Sequence, residues 1–301
     1  MKNMIFDGKK FAKEKERVLK RKVEALRQKG VRPKLVSILA DDSKESALYV
    51  FLKAKFAQQI GVIFDIHQFA VGTKTKEIVA GIQKANADSS VHGIMIQLPV
   101  ENQGEILQAI SPAKDVDCLT EENLGLIVIG KPRFLPATVK AVMEIVKYAL
   151  GHLGHMFEEE KWLRGKTVCI VGASIIVGKP LSIILSDLGA TVIICRSTTG
   201  KLAEFTQKAD VLVSATGAID LVKKEMVKTG AIVIDVGISK LLRDGKFRVV
   251  GDVSRDVLEK TSFLTPVPGG VGPVTVACLF ENLLLASQVF DPVKQGTFRR
   301  T

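Results

Sequence analysis

The sequence predicts an α/β protein of two domains, and three observations carry that prediction. Short apolar strands alternate with amphipathic helices through residues 34–98, a strand–glycine–helix turn follows at residues 166–180, and the alternation then resumes as far as residue 236. Such order implies parallel sheets with helices packed on their faces, and ligands gather at the carboxyl ends of parallel strands. The 301 residues suffice for two modest domains, and 47% hydrophobic with 25% charged residues is ordinary globular composition.

In chain order, Lys9 to Lys29 sets Phe11, Val18, Val23 and Leu26 among charges of both signs, the pattern of a surface helix. Residues 34–40 read as a strand, 44–60 as a helix stopped by Gly61, 62–70 as a strand, 74–87 as a helix and 91–98 as a third strand. A loop region spans 111–136, a helix 139–150, and the glutamate-rich stretch 151–162 reads as a linker. Strands follow at 167–171, 191–195, 211–215 and 231–236, the last two running into Gly217 and Gly237, where backbone can approach a ligand closely. A Pro/Gly segment at 265–275 ends the alternation, and an apolar helix is expected over 276–290.

The net charge of +11 permits a nucleic-acid partner, but the basic residues are spread along the chain and no basic stripe with interleaved aromatics is visible. An anionic small substrate suits the charge equally well, through long-range steering. Cys118, Cys169, Cys195 and Cys278 are scattered without a C-x-x-C pair, as reduced core thiols would be. The apolar runs fall short of the roughly 18 residues of a membrane span and the first ten residues lack a signal-like apolar stretch, so a cytoplasmic, non-membrane protein is expected. His152 and His155 have no third ligand in the pattern, so no metal is expected.

Two groups of residues carry candidate chemistry. The run from Gly172 through Ala173, Ser174 and Val177 to Gly178 turns an apolar strand into a helix with Pro180 in its first turn, and its backbone N–H groups suit a phosphate. A plain βα connection has the same residues. Arg196 and Ser197 follow the next strand, where an acid would select NAD and a cation suits the 2′-phosphate of NADP; a solvated loop arginine looks the same. In the first half, Tyr49 and Lys53 lie one helical turn apart on one face, Gln97 ends a strand, and Asp115 and Asp117 stand in the next loop. Taken alone, Lys53 reads as a surface lysine and the aspartates as turn formers. Pro266, Pro268 and Pro273 with Gly269, Gly270 and Gly272 make a stiff segment of little bulk, fit to wall a site or to cross between domains.

Together the pieces resemble the bifunctional methylenetetrahydrofolate dehydrogenase/methenyltetrahydrofolate cyclohydrolase family. The resemblance covers nearly the whole chain and rests on Tyr49-Val-Phe-Leu-Lys53, Asn86-Ala-Asp88 with His92-Gly-Ile-Met-Ile-Gln-Leu-Pro99, Lys114-Asp-Val-Asp117, Val177-Gly-Lys-Pro180 and Pro268-Gly-Gly-Val-Gly-Pro273. It implies a homodimer, each subunit having a folate-handling domain (1–138, completed by a C-terminal helix in 276–301) and an NADP-binding Rossmann domain (139–275) across a cleft. By matching, Lys53 is the catalytic lysine, Gln97 orients it, and Tyr49 stacks on or steers the folate. Asp117 binds the pterin, while Ile96, Leu98 and the segment Pro268, Gly269, Gly270, Val271, Gly272, Pro273 and Val276 line the folate site. Gly172, Ala173, Ser174, Val177, Gly178, Arg196, Ser197 and Ile238 match positions around NADP.

Three departures stand out. Gly172-Ala173-Ser174 replaces a Gly-Arg-Ser, so Arg196 becomes the expected phosphate partner and NAD remains the alternative cofactor. Asp115-Val-Asp-Cys118 replaces an Asp-Val-Asp-Gly, and Pro136-Ala-Thr-Val139 replaces a Pro-Cys-Thr-Pro. A monofunctional dehydrogenase is the nearest alternative, and a noncatalytic basic binding protein on the same scaffold is the alternative of another class.

Overall fold

The structure, a computed structural model, describes residues 3–155, 159–243 and 246–289. The chain packs as two units, Met1–Ala12 with Thr138–Thr275 and Lys13–Ala137 with Val276–Thr301. It opens with β1 (Met4–Ile5), α1 (Gly8–Gln28), β2 (Lys34–Leu39), α2 (Lys44–Ile60), β3 (Ile63–Gln68), α3 (Thr75–Ala87) and β4 (Gly93–Ile96). Helices α4 (Gln103–Gln108), α5 (Glu121–Val128), α6 (Ala137–His152) and α7 (Glu159–Leu163) follow.

In the Lys13–Ala137 unit the apolar run of β2 becomes the centre of a parallel three-stranded sheet, order β3-β2-β4, with Leu35, Val36 and Ile38 wholly buried. Helix α2 starts where its sequence says it should. The Ser43 hydroxyl accepts the Ser46 amide at 3.1 Å, Asp41 accepts from both serine hydroxyls, and Gly61 closes the other end with φ +85°. Two lysine- and asparagine-based braces then fix the loop after β4. Lys114 Nζ donates to the carbonyls of Ala85, Asn86 and Asp88, closing the open end of α3, and the Asn86 side chain bonds Ala109 O and Ser111 N. Asp115 accepts from the amides of Leu119 and Thr120, the Thr120 hydroxyl and the Asn123 amide.

The other unit runs β5 (Thr167–Val171), α8 (Gly178–Asp187), β6 (Thr191–Cys195), α9 (Ala203–Thr206), β7 (Val211–Ser214), β8 (Ile232–Asp235), the antiparallel pair β9 (Ser239–Arg243) and β10 (Lys246–Val250), and β11 (Phe263–Leu264). Its parallel sheet has the order β1-β11-β8-β7-β5-β6, with Cys169, Leu212, Val222 and Val233 in the core on one face. The last helix, α10 (Val271–Val289), follows. Within the three-stranded unit, Phe280 stacks on Phe56 with centroids 5.4 Å apart, and Asn282 donates to the carbonyls of Val116 and Leu135. A Cβ at Gly93 would lie 2.7 Å from Leu283 Cδ1, so β4 needs glycine there for the helix to approach. The stretch Val271–Gln288 is long and apolar enough to cross a membrane, but 61% of it is buried inside the protein, as suits a core helix.

The architecture differs from the expected one in four places. The first twelve residues pack with the six-stranded unit, where β1 adds beside β11 and Phe6 meets Phe263 and Tyr148. The loop at 111–136 contains α5, nucleated by Thr120, whose hydroxyl caps the Asn123 amide. The hairpin β9–β10 was not legible, since basic residues interrupt the apolar run in both strands. Helix α10 begins at Val271, because Pro273 is tolerated in a first turn that has no amide to satisfy. Residues 156–158 of the expected linker and 290–301 of the expected last helix lie outside the described residues.

Lys114 is 5% exposed and satisfies three carbonyls at once. Lys114→Met should therefore lower stability by about 2–4 kcal/mol, measured as a shift of the urea midpoint at unchanged slope.

Candidate active site

Tyr49 and Lys53 both belong to α2, four residues apart, and project from one face of it. The ladder of β4 continues one residue beyond the strand, through Gln97 N to Ile38 O at 2.9 Å, and this delivers the Gln97 side chain. Its Oε1 accepts a hydrogen bond from Lys53 Nζ at 2.9 Å, while its Nε2 donates to Leu98 O at 3.2 Å and so keeps the carbonyl end towards the lysine. Gln97 is buried and Lys53 half-buried. Burial lowers the pKa of Lys53, and the Asp117 charge acts against that. Asp117 itself is pushed upward by burial and by neighbouring Asp115, with Lys53 and the Ala137 amide opposing.

Sequence reasoning treated Lys114, Asp115 and Asp117 as one motif, and the structure divides it. Lys114 and Asp115 hold the loop, and Asp117 is the member whose charge reaches Lys53. Cys118 follows in left-handed backbone, φ +60°, with its thiol donating to Phe134 O and burial raising its pKa, so it offers no thiolate. Tyr49 is half-buried and burial raises its phenol pKa. Ile96 is buried within β4, and Leu98 is half-buried before a cis peptide to Pro99. An amine of lowered basicity beside a neutral acceptor and a carboxylate can take a proton from water and return it.

In the six-stranded unit the chain leaves β5 for β6 on one side and returns to β7 on the other, so the strand order reverses between β5 and β7. Gly172 ends β5 at that point with φ +117°, and a Cβ there would lie 2.4 Å from Ala215 O. A Cβ at Gly178, the first residue of α8, would lie 1.9 Å from Gly172 O. Both glycines are therefore required for the turn to close, and the N-terminus of α8 is left facing the crevice that open α/β sheets use for dinucleotides. Within the turn, Ser174 Oγ accepts the Val177 amide at 3.1 Å, and Ala173 is half-buried.

Arg196 and Ser197 are exposed at the carboxyl end of β6, with the Arg196 amide donating to Thr199 Oγ1 at 2.9 Å. Ile238, after β8, is 44% exposed. The segment from Pro268 keeps Gly269 at φ +99° and packs Gly270 so closely on Gly8 that a Cβ on Gly8 would meet Gly270 O at 1.9 Å. Val271, Gly272, Pro273 and Val276 are turns of α10 and not loop, which corrects the expected extent of that segment. A pair of acids, Asp235 and Asp252, was not singled out from sequence; each has a glycine nearby, Gly237 and Gly251, that in hindsight marks close packing on a side chain.

A lysine of lowered basicity on one α/β unit and a glycine turn at the switch point of the other unit's sheet are what a nicotinamide-dependent oxidoreductase with a hydrolytic step would use. Comparison with known proteins makes this specific. Residues 6–117 match the model of the tetrahydrofolate dehydrogenase/cyclohydrolase catalytic domain and residues 136–290 that of its NAD(P)-binding domain. The chain belongs to the tetrahydrofolate dehydrogenase/cyclohydrolase family. It is 44% identical over 284 residues to the bifunctional protein FolD of Lactobacillus helveticus, covering 93% of this chain and 96% of that one. Among solved structures it is similar to the bifunctional methylenetetrahydrofolate dehydrogenase/cyclohydrolase of Campylobacter jejuni, with TM-score 0.87, 37% identity and coverage of 95% and 99%. It is similar also to the Trypanosoma brucei enzyme complexed with NADP and an inhibitor, with TM-score 0.88, 34% identity and coverage of 95% and 97%.

The cradle has a direct test. Gly178→Ala places a methyl against Gly172 O, and NADP affinity measured by calorimetric titration should fall by about tenfold or more while the protein stays folded.

Proposed function

We infer that this chain oxidises 5,10-methylenetetrahydrofolate with NADP and hydrolyses the methenyl product to 10-formyltetrahydrofolate, two consecutive steps of one-carbon metabolism. The observation that carries the reading is the half-buried Lys53 on Gln97 Oε1, since a lysine with that environment has no use in a merely solvated helix.

For the first step NADP supplies the hydride acceptor, and the folate nitrogen lone pair supplies electrons as the hydride leaves the bridging carbon. The protein's task is alignment of the two carbons, not proton removal. For the second, water adds to the methenyl carbon and its proton passes to the neutral amine of Lys53. The resulting ammonium is held by Gln97 Oε1 and by the Asp117 charge, and it returns the proton to the folate nitrogen as the ring bond breaks. One proton is released overall. Asp117, whose pKa burial raises and the Lys53 charge holds down, suits hydrogen bonding to the pterin N–H groups, and Tyr49, one helical turn from Lys53 on α2, suits stacking on the folate ring.

In this reading residues 268–276 line the folate, and Gly172, Ala173, Ser174, Val177, Gly178, Ser197 and Ile238 line NADP. Arg196 is exposed at the strand end that faces a cofactor ribose, and it supplies the charge that Ala173 does not. A second copy of the chain is the proposed partner, supported by the family resemblance and by the open edge of β6, where Ile194 is 38% exposed. Four free buried cysteines support the cytoplasm as its compartment.

The reading is tested by following reduced cofactor and methenyl intermediate together in parallel cuvettes with NADP or NAD. Cofactor reduction without methenyl build-up beyond the uncatalysed control is expected; accumulation would make the protein a monofunctional dehydrogenase, and no reduction would overturn the oxidative half. Lys53→Met should abolish methenyl hydrolysis while NADP titration is unchanged, and loss of NADP binding in that variant would remove Lys53 from its acid–base role. Arg196→Ala should raise KM for NADP by about tenfold and leave NAD nearly unaffected, the signature of one lost charge-assisted contact. Equal losses would place the 2′-phosphate elsewhere.

A further inference from the structure

Two carboxylates lie in the interior of the six-stranded unit at the carboxyl end of its sheet. Asp235 ends β8 at 2% exposure, and Asp252, just beyond β10, is fully buried. Among the described residues neither forms an ion pair. Burying a carboxylate without a cation is costly, so the pair must be held by dipoles. Asp252 Oδ2 accepts from Ser214 Oγ at 2.8 Å, Thr216 N at 2.7 Å and Thr216 Oγ1 at 2.8 Å. Asp235 Oδ1 accepts the amides of Gly237 at 3.0 Å and Asp252 at 3.1 Å, and its Oδ2 accepts the Val253 amide at 2.9 Å.

These bonds tie together the parts of the unit that a cofactor would touch. Through Thr216 they hold the turn after β7 at Gly217, whose carbonyl accepts Ser239 Oγ at 2.6 Å. Through Gly237 they hold the backbone immediately before Ile238. The Asp235 amide donates to Thr265 Oγ1 at 2.7 Å, so the start of the Pro/Gly segment belongs to the same brace. The packing leaves no slack. A Cβ on Gly237 would lie 1.9 Å from Asp252 Oδ1, and one on Gly251 would lie 1.9 Å from Asp235 Oδ2 and 2.8 Å from Val267 Cγ2. Among the described residues one oxygen, Asp252 Oδ1, is buried with no hydrogen-bond partner, a desolvation cost the fold carries at this brace.

We propose that Asp235 and Asp252 are positioning residues for NADP, fixing the turns after β7 and β8 against the nicotinamide half of the cofactor, so that oxidation depends on them and methenyl hydrolysis does not. This rests on the reading of the six-stranded unit as the NADP site. The groups facing Asp235 are the Asp252 carboxylate, the amides of Gly237, Asp252 and Val253, Thr265 Oγ1 at its own amide, and the apolar Val267. Burial pushes the Asp235 carboxyl up to about 7, with the Asp252 charge adding and the three amides opposing. Above that pH Asp235 loses its proton in a dry site against the Asp252 charge, and the repulsion loosens the turns. NADP affinity therefore weakens as pH rises through about 7. The same group, raised above its unfolded value, contributes stability that is lost between its unfolded range near 4 and about 7.

The test uses the full chain with NADP titration, oxidation and methenyl hydrolysis measured from pH 5.5 to 8.5, roughly the span over which such a carboxyl titrates. Asp252→Ala should weaken NADP binding by about tenfold while hydrolysis stays within about twofold. Asp252→Asn keeps the oxygen that Ser214 and Thr216 bond and removes the charge that repels Asp235; it should bind NADP as the parent does near pH 6 and lose the pH inflection. The cofactor's own phosphate titrates alike in both proteins and cancels in the comparison. An inflection retained in Asp252→Asn, or equal loss of oxidation and hydrolysis in Asp252→Ala with a lowered Tm, would overturn the proposal. Because titration reads NADP binding without turnover, a parent protein that binds NADP yet oxidises nothing would count against the proposed function alone.

Discussion

A lysine withdrawn from water must be given something to hold, and much of the three-stranded unit is arranged to provide it. Lys53 keeps its bond to Gln97 Oε1 only if β4 runs in register with β2 and α2 starts at a fixed point. Asp41, Ser43 and Gly61 set the ends of α2, and the continued ladder sets Gln97. Asp117 reaches the same place because Lys114, Asp115 and Asn282 pin the loop that carries it, the last from α10. A weaker frame would let the ammonium turn outward and regain its ordinary basicity.

The six-stranded unit works by a different means. Where the first unit presents side chains, this one presents backbone, and glycine is what permits it. Gly172 and Gly178 meet carbonyl oxygens that any side chain would strike, and Gly237 and Gly251 do the same against carboxylates. Side-chain charge enters from behind the turns, through Asp235 and Asp252, or from the exposed Arg196 at the rim.

Much of this was legible in sequence, and the reasons are specific. Strand β5, strand β6 and helix α2 fall on the predicted residues, because continuous apolar runs and a Ser43–Gly61 frame are strong local signals. Helix α5 was hidden by the turn-like composition around it, and the first turn of α10 by a glycine and a proline that read as loop. Lys53 alone could not be told from a surface lysine, since the burial that lowers its basicity exists only once the chain has folded around it. Only the order of five motifs raised it to a candidate. Asp235 and Asp252 were illegible for the same reason: the bonds from Ser214 and Thr216 to Asp252, and from the Asp252 and Val253 amides to Asp235, join residues far apart in sequence.

The pairing of Met4–Ile5 with Phe263–Leu264 has a consequence for how the molecule is made. A ribosome delivers the first strand long before its sheet neighbour β11 exists, while Lys13–Ala137 follows it out and can begin to collapse. Phe6 and β1 have no Phe263–Leu264 to pair with until the chain has been made as far as those residues. The nucleotide-binding unit is thus closed by two segments far apart in sequence, and its completion waits on the second.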